Sequence, residues 1–242
     1  MTTKNLSSHH QDLVHANRIL VAQGVLDGFG HVSVRDPQNG CSFLLSRNLA
    51  PALVTLDDIQ EFDLHGNTQD NRPSYLERYI HAAIYRARPD VHAIVHSHSA
   101  SVLPYASVDR PLRPISHMAG FLHTEVPAFE IRKVSGDATD LLIRSHEQGD
   151  ALAERLGLAN VVLMRGHGSV AVATSLRAAV FNAVYTERNA ETQARAEALG
   201  EPVFLTPDEA RSAEKSNASQ IDRAWNYWLA QVPQHERQAD QL

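Results

Sequence analysis

Three histidines are spaced to hold one metal ion: His96 and His98 in IVHSHSA, and His167 in LMRGHGSVAVA. Imidazole is the commonest protein metal ligand, and an extended strand places residues i and i+2 on one face. In an extended Val91–Ser99 segment, His96 and His98 therefore point the same way and can close on a single cation. Two histidines on a strand face are also ordinary polar surface, so the pair alone does not decide. His167 lies between Gly166 and Gly168, which interrupt the apolar runs Val161–Met164 and Val170–Ala173. Glycine lets a backbone turn tightly and approach a ligand closely. Three histidines with one open coordination position describe a catalytic centre, because structural zinc sites are closed. The competing reading is a hairpin that carries ordinary polar histidines.

An acid/base candidate comes from the segment before the histidine strand. Pro73 followed by SYLERYIHAAIYRARPD reads as a helix, with Leu76, Ile80, Ala83 and Ile84 as its apolar stripe and Pro89 as its end. Glu77 lies on it, and His81 shares its face one turn further on. A carboxylate near a divalent cation can shuttle protons while the cation stabilises a substrate oxyanion. Judged from the helix alone, Glu77 can equally be solvated beside Arg78.

The surrounding pattern interleaves strands and helices, which argues for one α/β domain over residues 1–231 followed by a polar tail, 232–242. QDLVHANRILVAQG reads as a helix stopped by Gly24. HVSVR and SFLLS are short strands around the turn-rich DPQNG, and EFDLHGN is a strand running into a turn. Residues 100–135 are proline-rich and irregular, with extended pieces near Val126–Ile131. A helix is expected from about Asp140 to Leu156. Ser175 can cap a long helix, and the last helix starts at the capping box Thr206-Pro207-Asp208-Glu209 and ends near Trp228.

At 242 residues the chain can bury a sizeable core. A formal net charge of -6 argues against nucleic acid as partner, since neutralising phosphates needs a basic face. One cysteine, Cys41, excludes an intrachain disulfide framework and suits a reducing compartment. No signal-like N-terminus and no membrane-length apolar run are seen, so a cytoplasmic protein without membrane contact is expected.

Taken together, Pro73–Glu77, the helix to Pro89, His96-Ser-His98 and the GHG at His167 resemble the class II aldolase/adducin family from about Gln11 to Leu199. The early GFGHVSVR is similar to that family's GN-x-S-x-R segment. The resemblance implies a single-domain, three-layer α/β/α sandwich around a mainly antiparallel sheet. It also implies a homotetramer with sites between subunits. Carried over, His96, His98 and His167 become ligands of one divalent ion per subunit (zinc, manganese, iron or cobalt), and Glu77 the proton shuttle.

The sequence departs from the sugar-phosphate members of that family where they cradle phosphate. His31 stands for the asparagine of GN-x-S. Ser46-Arg47-Asn48 lacks the glycine that brings backbone N–H groups to phosphate, and Tyr75-Leu76 replaces a serine pair. Arg47 offers instead a planar carboxylate clamp, Tyr75 a stacking surface, and His31, Ser46 and His117 hydrogen bonds to substrate oxygens. Each has a plainer reading: Arg47 as a surface ion-pair residue, Tyr75 as a core aromatic, His117 as a loop polar group.

With LLSRNLAP, PSYLERYIH, HSHS, SHMAGFL and MRGHGSV, the chain looks like the branch that decarboxylates hydroxylated aromatic dicarboxylates, such as dihydroxyphthalate and hydroxymethylpyridine-dicarboxylate. The expected activity is metal-dependent decarboxylation of a hydroxylated aromatic or heteroaromatic carboxylate in aromatic catabolism, with Glu77 protonating the ring carbon. The alternatives are an aldolase, epimerase or dehydratase on a small polyhydroxylated substrate, an iron-using oxygenase, and a non-catalytic, adducin-like assembly module.

Overall fold

The computed structural model describes residues 8–233. Seven strands form one sheet: β1 His31–Arg35, β2 Ser42–Ser46, β3 Ile59–Asp63, β4 Ala93–Ser97, β5 Ala128–Phe129, β6 Val161–Met164 and β7 Gly168–Ala173. Their order is β3-β2-β1-β4-β7-β6-β5, and every pairing is antiparallel except β5 with β6. The helices are α1 Ser8–Ala22, α2 Arg78–Ala87, α3 Val102–Tyr105, α4 Arg132–Ser135, α5 His146–Leu156, α6 Leu176–Leu199, α7 Pro207–Ala218 and α8 Ile221–Gln231. Among the described residues no helix is long and apolar enough to cross a membrane.

The layers follow from period-2 alternation along apolar strands, which makes both faces of the sheet hydrophobic. Val32, Val34, Leu44, Val95 and Leu163 pack toward α1, α6 and α8, where Trp225 and Trp228 are buried. Phe43, Leu45, Ile94, Val162 and Val172 face the other way, onto α2 and α5. Each such side chain contributes about 1.5–3 kcal/mol on full burial. This is the three-layer α/β/α arrangement around a mainly antiparallel sheet. The polar tail expected over 232–242 starts too early, because Val232 packs in the first layer; from residue 234 it lies outside the described residues.

Three helix boundaries differ from the expected ones, for physical reasons. The segment before α2 is not helical: Ser74 Oγ donates to Gln60 on β3 and the Pro73 carbonyl accepts from Asn48 N–H, so the helix starts at Arg78 with Glu77 as its N-cap. The helix expected from Asp140 starts at His146, behind a Ser145/Gln148 capping box. The last helix is two, broken at Ser219-Gln220. α7 lies along the tight turn His117–Leu122, while α8 turns its tryptophans into the core between α1 and α6.

Candidate metal centre

β1 and β4 are antiparallel neighbours with His31 opposite His96, and β4 and β7 pair His96 with Val170. This register puts His31 and His96 on the α2 face of the sheet. His98 follows two residues later, just past the end of β4. His167 sits in the β6–β7 turn, where Gly166 takes φ +64°. Gly168 is required by a close approach: a Cβ there would lie 2.1 Å from the Ser97 carbonyl oxygen. Only glycine lets the turn lie against β4 and bring His167 beside His98.

The three rings converge. His98 Nε2 lies 3.2 Å from His96 Nε2 and 3.1 Å from His167 Nε2. Glu77 Oε2 is 3.5 Å from the Nε2 atoms of both His96 and His167. The four ligand atoms all fall within 4.8 Å of one another.

Hydrogen bonding outside the cluster fixes what those nitrogens are. His96 Nδ1–H donates to the Ser169 carbonyl (3.1 Å), and His167 Nδ1–H donates to the Leu141 carbonyl (2.9 Å). A carbonyl can only accept, so in the neutral rings both Nε2 atoms carry lone pairs aimed into the cluster. Lone pairs facing one another repel unless a cation lies between them. Donors bonded at about 2.1 Å to one ion stand about 3.0–3.4 Å apart at right-angled to tetrahedral geometry, so the observed spacings fit a divalent ion. The backbone carbonyls behind the rings are the outer-shell partners that orient ligating histidines.

Glu77 is buried, not solvated beside Arg78; that residue instead donates to the Gly66 and Tyr75 carbonyls. Glu77 Oε1 accepts from Ile143 N–H at 3.0 Å. Burial by itself would raise its pKa, but positive charge in the cluster, at His96 first, outweighs that and holds the carboxyl well below the usual range. His98 is pushed down to about 4, first by burial and then by His96 and His167. Metal binding takes neutral imidazoles and a carboxylate, and a bound ion would then supply the positive charge that favours ionised Glu77.

The other expected site residues divide. His31 lies with its ring 4.9 Å from that of His96 and 4.6 Å from that of Tyr75. Tyr75 is buried, and its hydroxyl donates to the Leu49 carbonyl (2.5 Å) and accepts from Ser46 Oγ (3.4 Å). Arg47 is ion-paired through Nε to Asp58 (2.6 Å), and among the described residues its two terminal nitrogens have no hydrogen-bond partner. His117 is exposed at the start of the turn against α7, where Asn217 donates to its carbonyl; no described contact joins it to the three histidines.

Three contributors were not legible beforehand. The Leu141 carbonyl and Ile143 N–H come from a loop that reads as helix, and Leu141 adopts φ +72° to serve His167. Phe29 is 70% exposed with its ring 6.4 Å from that of His98, an apolar surface at the edge of the centre. The non-helical Thr139–Ser145 backbone had only its polar ends as a signal, and Phe29 only its place in GFG.

The sequence pattern of the class II aldolase and adducin N-terminal domain matches residues 11–194. The chain belongs to that family. Among its relatives, the decarboxylase tropJ of Talaromyces stipitatus is 38% identical over 239 residues, covering 88% of this chain and 90% of that one. The 3,4-dihydroxyphthalate decarboxylase of Arthrobacter keyseri is 28% identical, covering 90% and 91%. An aldolase II superfamily protein from Pseudomonas syringae, 22% identical, superposes with a TM-score of 0.76 over 96% of this chain and 94% of that one, and so shares the fold. The relatives named as decarboxylases or aldolases are lyases.

Proposed function

We propose that the protein is a divalent-metal-dependent decarboxylase of a hydroxylated aromatic or heteroaromatic carboxylate. The observation that carries this reading is the four-group cluster, with Glu77 Oε2 equidistant from His96 and His167 at 3.5 Å. The likeness to two proteins named as decarboxylases, one of them acting on dihydroxyphthalate, favours carboxylate loss over aldol cleavage. The missing phosphate cradle around His31, Ser46-Arg47-Asn48 and Tyr75-Leu76 supports the same choice.

His96, His98 and His167 would hold the ion, with Glu77 beside it. A bound divalent cation would act as Lewis acid toward a phenolic oxygen and its neighbouring carboxylate. The remaining chemistry belongs to Glu77. Held ionised, it takes the proton of the substrate's ortho hydroxyl, which lets the oxygen push electron density into the ring. It then returns that proton to the ring carbon bearing the carboxylate. The carbon–carboxylate bond breaks, its electron pair restores the aromatic ring with charge on the ortho oxygen, and carbon dioxide leaves. Ile143 N–H keeps the carboxylate oriented throughout. The terminal nitrogens of Arg47 would clamp a second carboxylate, with Asp58 fixing the guanidinium plane. Tyr75, tied to Leu49 and Ser46, would wall the site beside His31, and His117 would reach substrate only across a subunit boundary in the homotetramer that the family resemblance implies.

The test is to incubate metal-reconstituted protein with a panel of ortho-hydroxy aromatic mono- and dicarboxylates and measure carbon dioxide, with sugar phosphates in parallel. Carbon dioxide from an aromatic member supports the reading; aldehyde release from a sugar phosphate alone refutes it.

A further inference from the structure

Behind the metal centre lies a buried chain of side chains that the reaction above does not use. His31 Nδ1 is 2.7 Å from His81 Nε2, His81 Nδ1 is 2.6 Å from Ser33 Oγ, and Ser33 Oγ is 2.8 Å from the Tyr85 hydroxyl. The arrangement follows from two periodicities. His31 and Ser33 are i and i+2 on β1, and His81 and Tyr85 are i and i+4 on α2, so the two pairs face each other across the layer. All four are buried. Burial of both imidazoles favours their neutral form.

A hydrogen count gives this chain a direction. Tyr85, Ser33 and the two neutral imidazoles each carry one hydrogen on a side-chain donor atom, and three contacts join them. One hydrogen is therefore left without an acceptor inside the chain. Left on Tyr85 or Ser33 it would be a sealed donor with no partner, at the full cost of its desolvation. The arrangement that avoids this runs one way: Tyr85 O–H donates to Ser33, Ser33 O–H to His81 Nδ1, and His81 Nε2–H to His31 Nδ1. The remaining hydrogen then sits on His31 Nε2. That atom has no hydrogen-bond partner among the described residues, and it is not sealed from solvent. Its ring is wedged between His96 and Tyr75.

We propose that Tyr85, Ser33 and His81 are positioning residues that lock His31 in its Nε2–H tautomer, so that the centre presents one fixed donor to an anionic oxygen of the substrate. The ligand class is a carboxylate or phenolate, because a charge-assisted bond to an acceptor-only oxygen gains most from a donor that cannot reverse. The tautomer rests on the hydrogen count; the identity of the oxygen rests on the decarboxylase reading. A locked donor also costs no reorganisation when charge develops on that oxygen.

Neutron diffraction on zinc-loaded crystals exchanged into heavy water reads the tautomer directly. The proposal expects deuterium on His31 Nε2 and none on Nδ1; deuterium on Nδ1, alone or with Nε2, overturns it. Ser33→Ala removes the donor to His81 Nδ1, so deuterium should appear on both nitrogens of His31 at partial occupancy. An unchanged single site in that variant overturns the relay as the cause. Calorimetry with 2-hydroxybenzoate then tests the donor in solution, zinc content being checked in each variant. His31→Gln places an amide nitrogen near the position of Nε2 and should bind within about 5-fold of wild type, while His31→Asn, reaching only the Nδ1 position, should lose about 10-fold or more. Equal losses overturn the donor role. These results are independent of carbon dioxide release, so failure of the decarboxylase assay would leave the tautomer standing.

Discussion

Glu77 and His81 stand one helical turn apart on the same face of α2's N-terminal end, yet their side chains enter two separate hydrogen-bond systems. Glu77 turns toward His96 and His167, and His81 joins His31 to Ser33. One helix face thus supplies the proton-shuttle candidate and, behind it, the group that orients a neighbouring ring.

Removing any one of the three histidines should remove the metal. His96→Ala, His98→Ala and His167→Ala are each expected to lose stoichiometric divalent metal by elemental analysis while keeping the circular dichroism of the folded protein. A variant that keeps one tightly held ion per chain would exclude the substituted residue from the ligand set.

Glu77→Gln preserves size and can still meet Ile143 N–H, but it exchanges no proton. Turnover should fall by about 10²–10⁴-fold with metal content unchanged. Wild-type rates in this variant would shift the proton transfer to another group.

Arg47 is tied through Nε to Asp58, and its terminal nitrogens have no hydrogen-bond partner among the described residues. Arg47→Lys keeps the charge but cannot hold Asp58 and offer a planar fork together. The expected loss in kcat/KM is about 10-fold or more for a dicarboxylate and smaller for a monocarboxylate analogue. Equal losses on both would make the Asp58 pairing, and not a clamp, the role of Arg47.

Much of this centre was legible in the sequence because its parts depend on short periodicities. His96 and His98 share a direction through a two-residue strand repeat, and the glycines around His167 announced a turn that must approach another backbone closely. The register that brings β7 against β4 is a long-range fact, and no local pattern encodes it. The loop at Leu141–Ser145 misled for a related reason. Its residues tolerate a helix, but hydrogen bonds to Glu77 and His167 hold it open. The last helix read as continuous because its break at Ser219-Gln220 carries neither glycine nor proline; separate packing of α7 and α8 decides it.

Acid should destabilise the fold partly through His81. Its folded pKa lies near 3 against an ordinary 6.5, so between those values the unfolded chain binds more protons than the folded one. Stability from this residue is fully present above pH 6.5 and is lost as pH falls toward 3. In urea titrations of metal-free protein, His81→Gln should flatten the pH dependence of unfolding free energy between pH 4 and 6 by close to one proton. An unaltered slope would mean that His81 is protonated in the folded state.

Loss of carbon dioxide with proton delivery to the vacated ring carbon is the central claim, and one experiment reads both. Metal-reconstituted protein is incubated in heavy water with an ortho-hydroxy aromatic dicarboxylate that it turns over, with and without a chelator. The account predicts carbon dioxide and ring-deuterated product in equal amounts, abolished by the chelator and restored by a divalent ion. Undiminished carbon dioxide release from metal-stripped protein, or no release from any aromatic member of the panel, would contradict it.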